Sequence, residues 1–194
     1  MKTRILLLVV ISALSMSAFA NQSNAQGDKA TEIGKKIRQL DLLNQILPVL
    51  MTKEQLKAII PAVQKARNEE RVLAQKELKM MAEKEAKVDA AIKEGKSKQL
   101  VPSKELVAEL SQMYNAFVIA RRMMMTSQIE AIRLVMEKNL NKGQIKAAAN
   151  ALNPKIFDPS ADLSTITEER KLELWIQNIL LDPQAFDILV ELSK

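Results

Sequence analysis

The chain has 194 residues, a formal charge of +6, and neither histidine nor cysteine. Without these residue types it cannot form Ser-His-Asp or Cys-His catalytic machinery, and it lacks the usual ligands for zinc, haem and iron–sulfur clusters. No Gly-rich phosphate-binding motif occurs, and aromatic residues, at 3%, are too few for base stacking. The acidic residues lie among lysines at i,i+3 and i,i+4 spacing, which is typical of ion pairs on a helix surface. We therefore expect a binding protein, with no catalytic residue, no metal site, no cofactor and no nucleic-acid partner.

Residues 1–20 predict an export signal. A basic start (Lys2 and Arg4) precedes an apolar stretch over residues 5–14, and an A-x-A cleavage pattern ends at Ala20. The apolar stretch is roughly ten residues long, whereas about 20 are needed to span a bilayer. We therefore expect a cleaved signal and no integral membrane segment afterwards. The absence of cysteine also excludes a lipoprotein anchor.

The mature chain is expected to begin with a disordered leader over residues 21–27, which are rich in Asn, Gln, Ser and Gly. A first helix follows from Asp28 to Leu47, and Pro48 ends it. It carries apolar residues every three or four positions, the spacing of an amphipathic helix. This stripe comprises Ile33, Ile37, Leu40, Leu43 (with Leu42) and Ile46.

The second helix begins with a capping box, in which the Thr52 hydroxyl accepts from a backbone amide and Gln55 reaches back to the Thr52 amide. Pro61 predicts a kink or a restart of this helix. After Pro61 nothing breaks the helix before Glu94, and its heavy charge indicates that one side is solvated. The turn over residues 95–98 closes it.

The third helix is the most apolar, and it is expected to run from Ser103, its N-cap, to about Asn139. Two adjacent stripes would let it contact two partners. The first comprises Leu106, Leu110, Met113, Phe117, Met124, Gln128, Ile132 and Val135. The second comprises Val107, Tyr114, Val118, Met125, Ile129 and Met136.

The fourth helix repeats the capping pattern, with Asn141 as N-cap and Gln144 three positions later. Asn153 and Pro154 end it, and a Pro/Asp/Ser-rich loop runs to residue 163. The mature chain thus divides into a helical domain over residues 28–152 and a C-terminal extension over residues 153–194.

The extension is expected to form two short helices that dock on the body. Thr165 and Glu168 predict the start of the first, which contains Trp175. Asp182 and Pro183 predict the N-cap and first position of the second.

The two capping patterns fall in similar blocks, Met51–Gln55 and Leu140–Gln144, and flank two long helices. This arrangement resembles the LTxxQ-motif proteins of the Gram-negative envelope, the Spy/CpxP group of periplasmic stress chaperones. The resemblance covers roughly residues 40–152. It departs from the motif at Met51, Asn141 and Pro61, and the segment after Pro154 has no counterpart in the short members.

The resemblance implies an all-α fold of long antiparallel helical hairpins, extended or cradle-like, with short N- and C-terminal helices. It also implies a periplasmic homodimer that holds unfolded or partner polypeptides without ATP, or that acts as an envelope-stress adaptor. Long helices with few aromatic residues have difficulty closing a compact core. Exposed apolar surface or dimerisation is therefore expected on physical grounds as well.

Methionines and arginines on the long helices are the candidate protein-binding surface. They are Arg67, Arg71, Met80, Met81, Arg121, Arg122, Met123, Met124 and Met125. Successive helical residues point ~100° apart, so at least one residue of the run 123–125 should lie outside the core stripe. The alternative is that the methionines are core residues and that the arginines pair with Glu69, Glu70 and other carboxylates.

Thr52, Gln55, Asn141 and Gln144 are expected to act as helix caps and not as ligands. Two other functions remain open. One is a structural or scaffold protein of the envelope, whose extension docks a specific partner. The other is a metal-responsive sensor, which the absence of histidine disfavours because sensors of this kind depend on that residue.

Overall fold

A computed structural model describes residues 25–153 and 165–194. The predicted export signal, the first part of the leader and most of the predicted loop lie outside the described residues. The described residues contain helices and no strand, which confirms the all-α prediction. The helices are α1 (Ala25–Ile46), α2 (Lys53–Ala82), α3 (Glu85–Lys98), α4 (Lys104–Asn139), α5 (Lys142–Ala151), α6 (Glu168–Trp175) and α7 (Ala185–Leu192).

Residues 41–194 form one compact unit, and the described residues before them belong to another. Among the described helices, none combines the length and the apolarity that crossing a bilayer requires.

Helix α1 begins three residues before the predicted start, so the end of the expected leader is helical. Its predicted apolar stripe is buried only in part. Ile33 and Ile37 are exposed, whereas Leu42 and Ile46 are buried. An apolar stripe shows which side of a helix can pack, and it does not show whether a partner is present.

Of the kink or restart that was predicted at Pro61, the restart is wrong, because α2 continues through this residue. Pro61 lacks an N–H, which leaves the carbonyl of Lys57 without its helical partner. Both residues are exposed, so water can bond to that carbonyl. The long helix breaks instead at Glu83 and Lys84, where the Lys84 amide bonds to Met81 O at 2.9 Å.

The predicted turn over residues 95–98 is also wrong, because these residues form the last turn of α3. The Ser97 hydroxyl donates to Lys93 O at 2.7 Å, and Lys98 pairs with Glu94 at 3.3 Å. Lysines also interact favourably with the negative end of a helix dipole. The helix ends at Gln99, whose φ of 54° is left-handed, and the chain reverses over residues 99–103.

Helix α4 has the predicted bounds, and the Ser103 hydroxyl accepts from the Leu106 amide at 3.1 Å. It packs antiparallel to α2, forming the predicted hairpin. Near the base of this hairpin, Gln128 Nε2 donates to Ala66 O at 3.0 Å. Further along, Arg121 bonds to Glu77, and furthest from the base Lys84 bonds to Glu109.

The N-cap of α6 is Thr167, not the predicted Thr165. The Thr167 hydroxyl accepts from the Arg170 amide at 3.1 Å, which makes Glu168 the first helical residue. The predicted helix then continues as a π-helical turn over Ile176–Leu180.

The predicted helix start at Asp182 and Pro183 is a turn before α7. Asp182 Oδ1 accepts from the Gln184 amide at 2.8 Å, and the helix begins at Ala185. A short acidic side chain can bond to the amide two residues later in a turn as readily as it caps a helix.

The core lies at the base of the hairpin, where α5, α6, the π-turn and α7 pack on α2 and α4. Docking of the C-terminal extension was predicted and is confirmed. The largest fully buried side chains are Trp175, Leu42, Ile46, Ile59, Ile132, Met136, Leu172, Ile176, Ile179, Leu180, Leu189 and Val49. The rest of the hairpin is two helices thick and has little buried surface, with no buried residue in α3.

Candidate protein-binding groove

The two capping boxes meet in space, although 89 residues separate their glutamines. Gln55 Nε2 donates to Gln144 Oε1 at 3.0 Å, and Gln144 Nε2 donates to Gln55 Oε1 at 2.9 Å. The Thr52 and Asn141 side chains accept from the amides of these glutamines at 3.2 and 2.9 Å. We call these four residues the glutamine clasp.

Every side-chain amide hydrogen and acceptor site of the clasp glutamines is used. Besides its partner, Gln55 Nε2 bonds to Asn139 O, and Gln144 Nε2 bonds to Leu50 O, each at 2.9 Å. Each Oε1 also accepts from the backbone amide of its own N-cap residue. The clasp therefore holds the starts of α2 and α5 together. The predicted capping role is confirmed, and these bonds use every hydrogen-bonding site of the two glutamine side-chain amides.

A groove of about 180 Å³ lies between α2, α4 and the π-turn. It is lined by Arg67, Glu70, Leu73, Ala74, Arg121, Met124, Met125, Gln128, Gln177 and Leu181. The groove brings together four of the predicted surface residues: Arg67, Arg121, Met124 and Met125. It does not include Arg71, Met80, Met81, Arg122 or Met123.

Arg121 lies at the groove and bonds to Glu77, whose side chain is only 3% exposed. Arg121 Nε donates to the two carboxylate oxygens at 2.8 and 3.0 Å, and Nη2 forms a third bond. These hydrogen bonds raise the pKa of Arg121. Its side chain is nevertheless 62% exposed, so the guanidinium joins the helices while keeping a face toward solvent.

Arg67 holds the C-terminal helix. Its guanidinium carbon lies 4.7 Å from the centre of the Phe186 ring, and Nη1 lies 3.9 Å from a carboxylate oxygen of Asp187. Cations are attracted to the face of an aromatic ring at this distance. The alternative was that these arginines pair with Glu69, Glu70 and other carboxylates. The structure confirms such pairing for Arg67 and Arg121, whose partners are the carboxylates of Asp187 and Glu77.

The methionine run 123–125 splits as the helical geometry predicts. Met125 is 40% exposed at the groove, Met124 is half-buried there, and Met123 is 69% exposed outside it. Met80 and Met81 are also exposed, near the end of α2. The core alternative therefore fails for these exposed methionines.

Arg71 and Arg122 are exposed and lie outside the groove. Gln128, which the sequence places in an apolar stripe, is buried and contributes to the wall of the groove. Its Nε2 donates to Ala66 O at 3.0 Å and to a carboxylate oxygen of Glu69 at 3.3 Å, so a polar residue can occupy this position.

Sequence reasoning missed Glu77, Gln177 and Leu181. Glu77 appears as one more charge on a charged helix, and its burial depends on Arg121, 44 residues away. Gln177 and Leu181 reach the groove from the extension, whose docking position no local pattern specifies.

The groove combines an apolar surface of methionine and leucine with two guanidinium groups and the Glu70 carboxylate at its edge. Its volume is below the roughly 300–1,000 Å³ that is typical of small-molecule sites. It can accommodate one or two apolar side chains of a polypeptide. Comparison with known protein families, curated proteins and solved structures finds no match to this chain.

Proposed function

We propose that the chain is an exported chaperone-like or envelope-stress adaptor protein, which binds unfolded or partner polypeptides without ATP. The observation that carries this proposal is the groove, where exposed Met125 lies beside the partly exposed guanidinium of Arg121. Methionine is flexible and polarizable, and such side chains adapt to partners of different shape. The arginines add attraction for acidic segments of a client.

The proposed location is the periplasm, based on the export pattern of residues 1–20 and on the paired capping motifs. The resemblance to the Spy/CpxP group supports the same role. The glutamine clasp supports the proposal, because it connects the two capping motifs in the fold.

The first test measures whether the chain suppresses aggregation of a chemically denatured test protein, followed by light scattering at a near-stoichiometric ratio. We expect suppression by the natural sequence and a loss of at least severalfold for Met125→Glu, because a carboxylate in the groove disfavours burial of an apolar client residue.

Met123→Glu is the matched control, since it adds the same charge on the same helix outside the groove. It should retain suppression. Equal loss in both variants, or no suppression by the folded natural sequence, would contradict the proposal.

A scaffold function is the second candidate, and a different surface favours it. Tyr114, Val118 and Ile119 are exposed on α4 outside the groove. Such residues could pair hairpins in a homodimer or dock one specific protein. This candidate predicts a stable oligomer that Val118→Ser with Ile119→Ser dissociates in sedimentation, together with no suppression of aggregation.

A further inference from the structure

The far end of the hairpin presents two adjacent apolar residues to solvent. Val101 is 90% exposed and Leu100 is 52% exposed. They follow the left-handed residue Gln99, which reverses the chain, and they precede Pro102, which stiffens it. We call residues 95–104 the hairpin tip.

The tip is compact because its loop folds back on the end of α3. A Cβ atom at Gly95 would lie 3.3 Å from Leu100 O, so the absence of a side chain there allows the close approach. The apolar pair is therefore held in place on a defined turn.

Cationic side chains precede and follow this apolar pair along the chain, and the surface hollow that Leu100 and Val101 line also contains Lys87, Glu94, Glu105 and Glu109. Lys96, Lys98 and Lys104 are exposed, and residues 95–104 contain no acidic residue. Over the wider segment 93–105, four lysines (93, 96, 98 and 104) and two glutamates (94 and 105) leave a net charge of +2.

We propose that the hairpin tip docks on an anionic phospholipid surface, with Leu100 and Val101 entering the interface and the lysines contacting phosphate headgroups. A lipid surface is fluid, so it can receive two protruding apolar side chains without a preformed pocket. Lysines adjacent to such residues can extend their charge to the headgroups while their methylene chains remain in the apolar layer. This interaction does not depend on the groove or on the proposed chaperone function.

The experiment measures co-sedimentation with vesicles of phosphatidylglycerol and phosphatidylcholine, against phosphatidylcholine alone. All proteins start at Asn21, so residues 1–20 contribute to none of them. We expect binding to the anionic vesicles only, and weaker binding as salt is added.

Three substitutions, Lys96→Gln, Lys98→Gln and Lys104→Gln, should together weaken partitioning on the order of 100-fold. This estimate takes about fivefold, or ~1 kcal/mol, for each lysine near an anionic surface. The matched control is Lys53→Gln, Lys57→Gln and Lys142→Gln at the clasp end of the hairpin, which should change partitioning less than twofold.

The apolar contribution is tested separately. Leu100→Ser with Val101→Ser should weaken partitioning roughly tenfold, since the transferred apolar surface is lost. Val72→Ser with Leu78→Ser removes comparable exposed side chains from α2 and should have no effect.

Because the chain contains no cysteine, Val101→Cys offers a single labelling site. An environment-sensitive fluorophore there should shift to the blue on binding vesicles, and the same label at Leu78→Cys should not. Equal binding to neutral vesicles, equal loss in the two lysine variants, or no shift at position 101 would each overturn the proposal. Binding to soluble polyglutamate but not to vesicles would also overturn it and would assign the tip to a protein partner.

Discussion

The side-chain amides of Gln55 and Gln144 each act within a helix and between helices. Each Oε1 caps the start of its own helix and also accepts from the other glutamine. Gln55 is half-buried and Gln144 is buried, so loss of one amide leaves several polar groups without partners. An unmade hydrogen bond at such a place costs more than the bond itself contributes.

We expect Gln55→Ala and Gln144→Ala each to lower the free energy of unfolding by about 1–3 kcal/mol. The double variant should cost less than the sum, with a coupling energy of roughly 0.5–3 kcal/mol, because the residues share bonds. Urea denaturation of the four proteins measures this cycle. Gln64→Ala on α2 is the control, since Gln64 makes one long bond of 3.4 Å at the surface. Additive losses would contradict the mutual contact.

At this scale, the sequence predicted what is local. A capping box joins residues three positions apart, so Thr52 and Gln55 identify one helix start and Asn141 and Gln144 another. The contact between the boxes depends on how the hairpin closes, and no spacing pattern encodes it. The choice of Thr167 over Thr165 was missed because both residues are chemically able to cap a helix.

At the scale of helices, polar contacts hold the two arms of the helical hairpin together beyond its core. Near the tip, Glu109 accepts from Lys84 and Lys87. These hydrogen bonds lower the pKa of Glu109, and the bond that Lys84 donates to Glu109 raises the pKa of Lys84. Because the pKa of Glu109 is lowered on folding, its carboxylate stabilises the folded state above the ordinary pKa of 4.5. This stabilisation is lost as the pH falls through the lower pKa of the folded state. Because the pKa of Lys84 is raised on folding, its ammonium group stabilises the folded state below the ordinary pKa of 10.5. This stabilisation is lost as the pH rises through the higher pKa of the folded state.

We therefore expect the outer hairpin to loosen when the pH falls below 4.5 and again above 10.5. Hydrogen exchange of residues 84–110 at matched intrinsic rates would show this as faster opening. Glu109→Gln removes the titrating carboxyl, so this variant should exchange faster at neutral pH and lose part of the acid dependence. The same acid dependence in both proteins would show that other carboxylates control the opening.

The break between helices α2 and α3 was not predicted from the sequence. Pro61 is the strongest breaker in the sequence of the long helix, yet the helix passes through it at an exposed position. The actual break at Glu83 and Lys84 has no glycine or proline. Helix propensity is a weak signal that tertiary contacts override, and here the ion pair between Lys84 and Glu109 lies at the break.

At the scale of the whole chain, burial is concentrated in one part of the compact unit 41–194. The apolar periodicity of α4 predicted a helix with two stripes along its whole length. Only Ile129 and Met136 of the second stripe are buried, and they lie where the C-terminal extension packs. Val107, Tyr114, Val118 and Met125 of the same stripe are exposed. The apolar pattern identified which faces of α4 can pack. Which residues on those faces enter the core depends on how far along α4 the C-terminal extension reaches.

This distribution predicts unequal stability along α4. Ile132 is fully buried, so Ile132→Ala should lower the free energy of unfolding by about 2–5 kcal/mol. Val118 is 49% exposed, so Val118→Ala on the same helix should change it by roughly 0.5 kcal/mol or less. Denaturant-dependent hydrogen exchange should then show residues 129–140 opening only with global unfolding, whereas residues 104–112 open locally at lower free energy. Uniform protection along α4, or equal costs for the two substitutions, would mean that another surface covers the outer hairpin in solution, as the scaffold function requires.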